Sequence, residues 1–141
     1  MTVDVVLSLK GQQTYVGQEP DVIELLTDGK LEKLDGGRWK LSYEESALTG
    51  LEGVQTTFLL EEGCVTLTRT GKLESQMVFR QGVTHDSLYQ MEFGALMISV
   101  CAMAINWELS ETGGTVDLKY KIEIEQSAAG FVDYHLDIKA K

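Results

Sequence analysis

Apolar and polar residues alternate almost without interruption between Thr115 and Ala140. The apolar positions are Val116, Leu118, Tyr120, Ile122 and Ile124, followed by Val132, Tyr134, Leu136, Ile138 and Ala140. A period of two places successive side chains on opposite faces of a β-strand, whereas the side chains of a helix repeat about every 3.6 residues. The pattern therefore predicts two long strands, joined through the small residues 127–130, that each bury one face.

The same alternation recurs along the rest of the chain and predicts about nine or ten strands that are joined by short turns. Asp28-Gly29 lies inside one such segment and is interpreted as a bend in a continuous strand, because the flanking pieces are short and charged. Asp35-Gly36-Gly37 is a stronger turn signal, since a new alternating segment follows it at residues 39–44. No segment shows the period of an amphipathic helix.

These segments predict an all-β fold. Consecutive strands that are linked by short turns pair as an antiparallel meander. The strand at residues 116–126 would be about 36 Å long at ~3.3 Å per residue, a length that suits the tilted strands of a barrel. Closure also removes exposed sheet edges. We therefore predict one antiparallel β-barrel domain of about eight to ten strands over residues 1–141, with a sandwich as the alternative.

The charge of the chain limits its partners. It has 141 residues, with 12 Lys and Arg against 22 Asp and Glu and a net charge of −10. Nucleic acid and anionic membranes are bound through basic surfaces, so neither is an expected partner. Residues 1–5 lack the features of a signal peptide, and the longest apolar stretch, Gly94–Ile105, has about 12 residues against the ~20 of a membrane-spanning helix. The sequence predicts a cytoplasmic protein.

The sequence contains no convincing catalytic or cofactor motif. Cys64 and Cys101 lie far apart without metal-ligand spacing, which predicts reduced structural thiols. His85 is expected to be exposed in a polar loop, and His135 lies on the polar face of its strand. The order of Ser, Cys, His and Asp residues matches no nucleophilic triad, and no phosphate-binding glycine loop precedes a helix. We therefore expect no enzyme, no metal and no cofactor.

Four short segments in the middle of the chain carry a family resemblance. They are Leu41–Glu45, Thr68–Gly71, Met77–Gly82 and Tyr89–Gly94. In order and spacing they resemble the YwiB-like family of small bacterial β-barrel proteins, a domain of unknown function whose fold is similar to that of lipocalins and other calycins. The resemblance covers essentially the full length. It implies a closed barrel with room for an internal pocket, and it brings no established activity or catalytic residue.

Arg69 is the most unusual single residue of the pattern. It continues the register of Val65 and Leu67 and so is expected to point toward the buried side, where a guanidinium needs a partner. Glu45 continues the register of Tyr43 in the same way, so the two charges could converge inside the barrel or at its mouth. One hypothesis is that Arg69 anchors a ligand carboxylate or phosphate. The alternative is an internal salt bridge or an arginine that reaches solvent at the strand end.

Aromatic and methionine side chains cluster on the predicted inner faces. The candidate lining consists of Tyr43, Met77, Phe79, Tyr89, Met91, Phe93, Tyr120 and Tyr134. Methionine adapts to varied shapes, so this lining suits a hydrophobic ligand. A barrel whose interior is filled by its own side chains has the same pattern. The sequence leaves the choice between a hollow and a filled barrel open.

The segment Ala95–Ile105 is apolar on both faces, unlike the other strands. Its outer row, Met97, Cys101, Met103 and Ile105, is predicted to be covered by a second copy of the chain in a homodimer.

The sequence thus leads to two hypotheses about function. The barrel binds a small amphipathic or hydrophobic molecule in its interior, or it is a solid interaction module that acts through its outer surface.

Overall fold

A computed structural model describes residues 2–15, 19–45, 53–91, 94–125 and 127–141, with the backbone alone described at positions 15, 89–91 and 127–129. The strands are β1 (Thr2–Tyr15), β2 (Asp21–Lys33), β3 (Trp39–Glu44), β4 (Val54–Glu61), β5 (Cys64–Gly71), β6 (Ser75–Arg80), β7 (Thr84–Met91), β8 (Gly94–Ser110), β9 (Gly113–Ile124) and β10 (Ser127–Ala140). A single 3₁₀ turn at Asp35–Gly37 links β2 to β3. No helix in the described part of the chain is long and apolar enough to cross a membrane.

The strands form one antiparallel sheet in the order β6-β5-β4-β3-β2-β1-β10-β9-β8-β7. Neighbours in the chain are neighbours in the sheet, and the one additional pairing joins β1 to β10, from Val5 opposite Ala140 to Tyr15 opposite Gly130. The two outer strands meet at a turn, where the Val83 amide donates to the Arg80 carbonyl at 3.0 Å and the Gly82 amide donates to the Ala102 carbonyl at 3.0 Å. The sheet is therefore a nearly closed barrel, and the fold prediction is confirmed.

Gly29 shows why β2 remains one strand. β2 runs without interruption through Gly29, which confirms the prediction of one continuous strand rather than a hairpin. Gly29 lies between Val5 of β1 and Tyr43 of β3. A Cβ atom at this position would lie 2.7 Å from the Ser42 carbonyl oxygen and 2.9 Å from Leu7 Cδ1. Only glycine lets the neighbouring backbone approach this closely.

The apolar rows of the strands fill much of the barrel interior. Seven leucines are at most 1% exposed, namely Leu7, Leu31, Leu41, Leu60, Leu67, Leu118 and Leu136. Phe79 of β6 and Tyr120 of β9 meet across the interior with ring centroids 4.6 Å apart. At the level of these two rings the barrel is filled by its own side chains, as a small barrel allows.

A β-bulge in β8 changes the outer row that the sequence predicts. Ala102 lies opposite Tyr120, but Ala104 already lies opposite Lys119, so Met103 is the extra residue. A shift of one residue moves all later side chains to the other face. The structure therefore places Ile105 on the inner side, packed against the core, and the outer row ends at Met103. Along that row, Met97 is 38% and Met103 54% exposed, and Cys101 is half-buried.

On the outer face, His135 of β10 lies between two carboxylates. Its Nδ1 atom is 2.6 Å from Asp117 Oδ1 and its Nε2 atom is 3.2 Å from Asp137 Oδ2. The hydrogen bond to Asp117 raises the pKa of His135 above its usual value of 6.5, and the charge of Asp137 acts in the same direction. The folded state thus favours the charged imidazolium. This contribution to stability is present below pH 6.5 and is lost as the pH rises through the folded-state pKa.

The close approach at Gly29 predicts a costly substitution. Gly29→Ala should lower the free energy of unfolding by about 1–3 kcal/mol, because the new methyl group overlaps a backbone oxygen that cannot move alone. Gly11→Ala is the matched control, since its Cβ would meet only the Tyr134 ring at 3.1 Å. Urea unfolding of both variants measures the difference. Equal midpoints for the two alanines would contradict the role assigned to Gly29.

The carboxylates around His135 predict a pH-dependent stability. Titration of the His135 ring by NMR should give a pKa above 6.5, and Asp117→Asn should bring it back toward that value. Asp133→Asn is the control, because it removes a charge from the same strand at a residue that pairs with Lys119 instead. The urea midpoint of the wild type should also fall more than that of Asp117→Asn between about pH 6 and about pH 8. Identical pKa values in all three proteins would refute the role of Asp117.

Candidate functional site

A row of polar side chains crosses the inner faces of four neighbouring strands near one end of the barrel. Tyr43 of β3 lies opposite Thr56 of β4, Thr56 lies opposite Arg69 of β5, and Arg69 lies opposite Ser75 of β6. Side chains that are directly opposite have Cβ atoms ~5 Å apart, so the row is continuous. Thr56 is fully buried and Ser75 is 8% exposed. Polar groups here occupy positions that apolar residues hold elsewhere in these strands.

Hairpin topology explains why these residues meet. β3 and β5 end on this side of the barrel, and β4 and β6 begin here. Glu45 follows the last residue of β3, and its amide donates to the Val54 carbonyl at 2.8 Å, which continues the pairing of the two strands. Two residues beyond Tyr43, the Glu45 side chain lies on the same inner face and is only 7% exposed. A carboxyl and a guanidinium thus share one end of the barrel.

Several polar atoms on the inner face are buried, and no described residue supplies a hydrogen-bond partner for them. They include Glu45 Oε1, Thr56 Oγ1, Ser75 Oγ, His85 Nδ1 and Ser87 Oγ. Native structures satisfy the large majority of buried polar atoms, and each unsatisfied one costs about 1–3 kcal/mol. Such atoms are expected where a protein binds something that supplies the missing partners. We call these five residues, together with Arg69, the polar cluster.

His85 and Ser87 bring β7 into the polar cluster. They lie opposite Val100 and Ile98 of β8, whose side chains are buried, so both face the interior. The expectation that His85 is exposed in a loop is wrong, because β7 already begins at Thr84 and His85 is half-buried. The start of β7 was not recognised from the sequence, because polar residues on its inner face give it the polar pattern of a loop.

The two ends of the sheet, β6 and β7, meet at the end of β6 that lies away from Ser75. They are joined by the bridge between Arg80 and Val83, next to the turn that connects them. Counted by strand register from that bridge, the inward residues Ser75 and Ser87 lie at nearly the same level. The polar cluster therefore extends from β3, across the row on β4 to β6, to the inner face of β7.

The charges in the cluster influence one another. Burial raises the pKa of Glu45 above its usual range, and the Arg69 guanidinium and the nearby hydroxyls of Tyr43 and Thr56 partly oppose this rise. Burial also raises the pKa of Tyr43 strongly, and the charges of Glu45 and Tyr134 act in the same direction. The Thr56 hydroxyl lies near the carboxyl without forming a well-aligned hydrogen bond to it. Glu45 and Arg69 are thus electrostatic neighbours, and the carboxyl keeps unused acceptor capacity.

Aromatic rings lie beside the polar cluster. Tyr43 stacks on Phe58 with centroids 6.5 Å apart, and Tyr120 packs against Tyr134 at 6.2 Å. Tyr134 is half-buried, and its ring covers Gly11, where a Cβ atom would lie 3.1 Å from the ring. We call Phe79, Tyr120 and Tyr134 the aromatic floor. The site thus combines hydrogen-bonding groups with an apolar surface.

The structure brings some of the predicted site residues together. Arg69, Glu45 and Tyr134 all lie within electrostatic range of Tyr43, although the four residues come from three parts of the chain. Met77, Phe79 and Tyr120 are buried on the inner side, at 2%, 0% and 4% exposure. The side chains of Tyr89 and Met91, and all of Phe93, lie outside the described residues.

Sequence reasoning missed the small polar members of the cluster. Thr56 stands in the apolar row of Val54 and Phe58, and Ser75 stands in the row of Met77. A hydroxyl at an apolar register position is the only signal they leave. That signal is weak, because Thr is common in strands and Ser is tolerated there.

The polar cluster borders open depressions in the surface. One of about 570 Å³ is lined in part by Tyr43, Glu44, Glu45 and Gln55, and another of about 290 Å³ also reaches Glu45. The larger depression lies mainly on the outer face of the sheet, because Glu44 and Gln55 are exposed and point away from the buried Glu45 side chain. Among the described residues, no group of three or more His, Cys, Asp or Glu side chains could hold a metal ion.

The electrostatics of Glu45 predict that its charge lowers stability. Its raised pKa means that wild-type stability falls, relative to Glu45→Gln, as the pH rises from about 4.5 through the folded-state pKa. Glu45→Gln should therefore gain in urea midpoint over the wild type from about pH 5 to about pH 8. Glu44→Gln, at the exposed neighbouring position, should not. A gain that does not change with pH would contradict this origin.

Comparison with known proteins adds a fold and a family. No curated protein matches the chain significantly. The crystal structure of the ywiB protein from Bacillus subtilis is similar, with a TM-score of 0.88 and 23% identity over 99% of this chain and 93% of that one. At this identity the likeness establishes the fold. It agrees with the YwiB-like resemblance of the sequence segments.

A family match covers nearly the whole barrel. The family is described as "Domain of unknown function (DUF1934)", and the match extends over residues 7–138, from within β1 to within β10. The strands that carry the polar cluster all lie inside this range. The chain therefore belongs to the DUF1934 family.

Proposed function

We propose that this protein is a cytoplasmic barrel that binds a small amphipathic molecule at the polar cluster. The polar end of the molecule contacts Arg69 and Glu45, and its apolar part lies against the aromatic floor. One observation carries the proposal, namely the concentration of buried, unpartnered polar atoms on strands β3 to β7 beside the aromatic rings. The proposal needs no hollow barrel, because the site lies at one end of a partly filled interior.

The energetics favour such a ligand over a purely structural role. In a cluster with a purely structural role, the polar atoms should be hydrogen-bonded to one another, because a half-satisfied network is less stable than an apolar core. Hydrogen bonds from a ligand would offset the desolvation cost of Thr56 and Ser75, and apolar contact contributes about 25 cal/mol per Å² of buried area. Binding would thus recover free energy that the empty site lacks.

A substitution at Thr56 tests ligand binding and stability separately. Thr56→Val keeps the shape but removes a buried, unpartnered hydroxyl, so the ligand-free protein should become about 1 kcal/mol more stable. Native mass spectrometry of protein from its own host should then show a bound small molecule on the wild type and less of it on Thr56→Val. Thr57→Val, on the opposite face of β4, is the control and should keep the molecule. Repeated recovery of the free wild type, or equal occupancy in all three proteins, would count against the proposal.

Self-association through the outer face of β7 and β8 is a second candidate function. Leu88 and Met97 are cross-strand neighbours and are 49% and 38% exposed, and Met103 further along β8 is 54% exposed. Apolar side chains that form a row on a sheet face are typical of surfaces that bind a partner. A second copy of the chain can cover this row in a two-fold homodimer.

The oligomeric state tests this second candidate. Combined Met97→Glu and Met103→Glu should halve the mass in solution, as measured by light scattering, because two copies would then bring like charges together. Gln76→Glu adds one negative charge on an exposed residue of β6 and should leave the mass unchanged. An unchanged mass of the double variant would remove the homodimer.

A further inference from the structure

We infer that the polar end of the ligand is uncharged and carries several hydroxyl groups, as in a sugar or another polyol. This inference rests on the proposed binding function and names the chemical class that the site accepts. It differs from the carboxylate or phosphate that Arg69 suggests when it is considered alone. Three features of the structure support it.

The first feature is the compensation of charge inside the site. Glu45 and Arg69 are close enough for the guanidinium to lower the pKa of the carboxyl. A bound anion would be attracted by Arg69 but repelled by the Glu45 carboxylate. A bound cation would be attracted by Glu45 but repelled by Arg69. Charge interactions over a few ångström are strong in a poorly solvated site. An uncharged group leaves this pair undisturbed.

The second feature is the charge of the protein surface near Glu45. The protein has a net charge of −10, and the larger depression beside Glu45 is lined by Asp4, Asp28 and Glu44. Its lysines are already engaged, since Lys30 pairs with Asp4 at 2.7 Å and Lys141 pairs with Asp28 at 3.0 Å. A field of this sign lowers the local concentration of anions.

The third feature is the type of hydrogen bond that the cluster lacks. The hydroxyls of Thr56, Ser75 and Ser87 can each donate and accept, and Glu45 Oε1 can accept when it is ionised. A carboxylate or phosphate only accepts, so it could not serve Glu45. Hydroxyl groups do both, and several on one small ring could reach groups on successive strands. The half-buried ring of Tyr134 offers an aromatic face to the C–H side of such a ring.

Three probes with the same octyl tail and different heads test the class. They are octyl β-glucoside, octanoate and octylammonium, each titrated below its micellar concentration into isotope-labelled protein and followed by NMR. The glucoside should shift the amides of Thr56, Ser75 and Ser87 and should bind at least about tenfold more tightly than either ion. Tighter binding of octanoate or octylammonium at these amides would overturn the inference but support the proposed function.

Binding of no probe at the cluster, or shifts confined to Leu88 and Met97, would contradict both proposals.

Variants of single residues show which side chains of the cluster contribute to glucoside binding. Ser75→Ala should weaken glucoside binding about fivefold, whereas Ser42→Ala on the outer face of β3 should not change it. Glu45→Gln should weaken glucoside binding and strengthen octanoate binding, because Arg69 then lacks its countercharge. A merely structural role of Glu45 would change both probes in the same direction, and that outcome would overturn the assignment.

Discussion

The pairing of β1 with β10 is the constraint on which the rest of the barrel depends. It joins the first and last strands of the chain along most of their length and turns two meanders into one sheet. β2 to β6 then extend to one side and β9 to β7 to the other, until β6 and β7 meet. Because Gly11 lies opposite Tyr134 in this pairing, the ring of Tyr134 is held over β1 and reaches the same interior as Tyr43.

The interior that results has two regions with different physical roles. Leucines and the contact between Phe79 and Tyr120 fill one region, and this packing supplies most of the stability through burial of apolar surface. The other region buries Glu45, Thr56 and Ser75 with unsatisfied atoms, which lowers stability. Proteins commonly retain such unfavourable groups at functional sites, where they are preorganised for a ligand. The strong packing of the first region allows the second region to exist.

The outer surface follows different rules. Charged side chains pair across strands, as with His135 between Asp117 and Asp137 and Lys119 beside Asp133. Exposed pairs of this kind contribute little to stability, but they keep most of the sheet face polar. The row on β7 and β8 with Leu88, Met97 and Met103 departs from this polar pattern. A bulge at Met103 ends the row, because it returns Ile105 to the core.

The sequence by itself determined that this is an antiparallel barrel with about ten strands, and it identified Arg69 and Glu45 as unusual. Alternation with a period of two depends only on which face each residue occupies, so it can be recognised in the sequence without the structure. Only the tertiary structure decided that β7 includes His85, that Ile105 points inward and that Thr56 and Ser75 join Arg69. Those facts depend on a bulge and on which strands become neighbours. A bulge adds one residue without a clear local signal, and a buried hydroxyl becomes significant only when its neighbours are known.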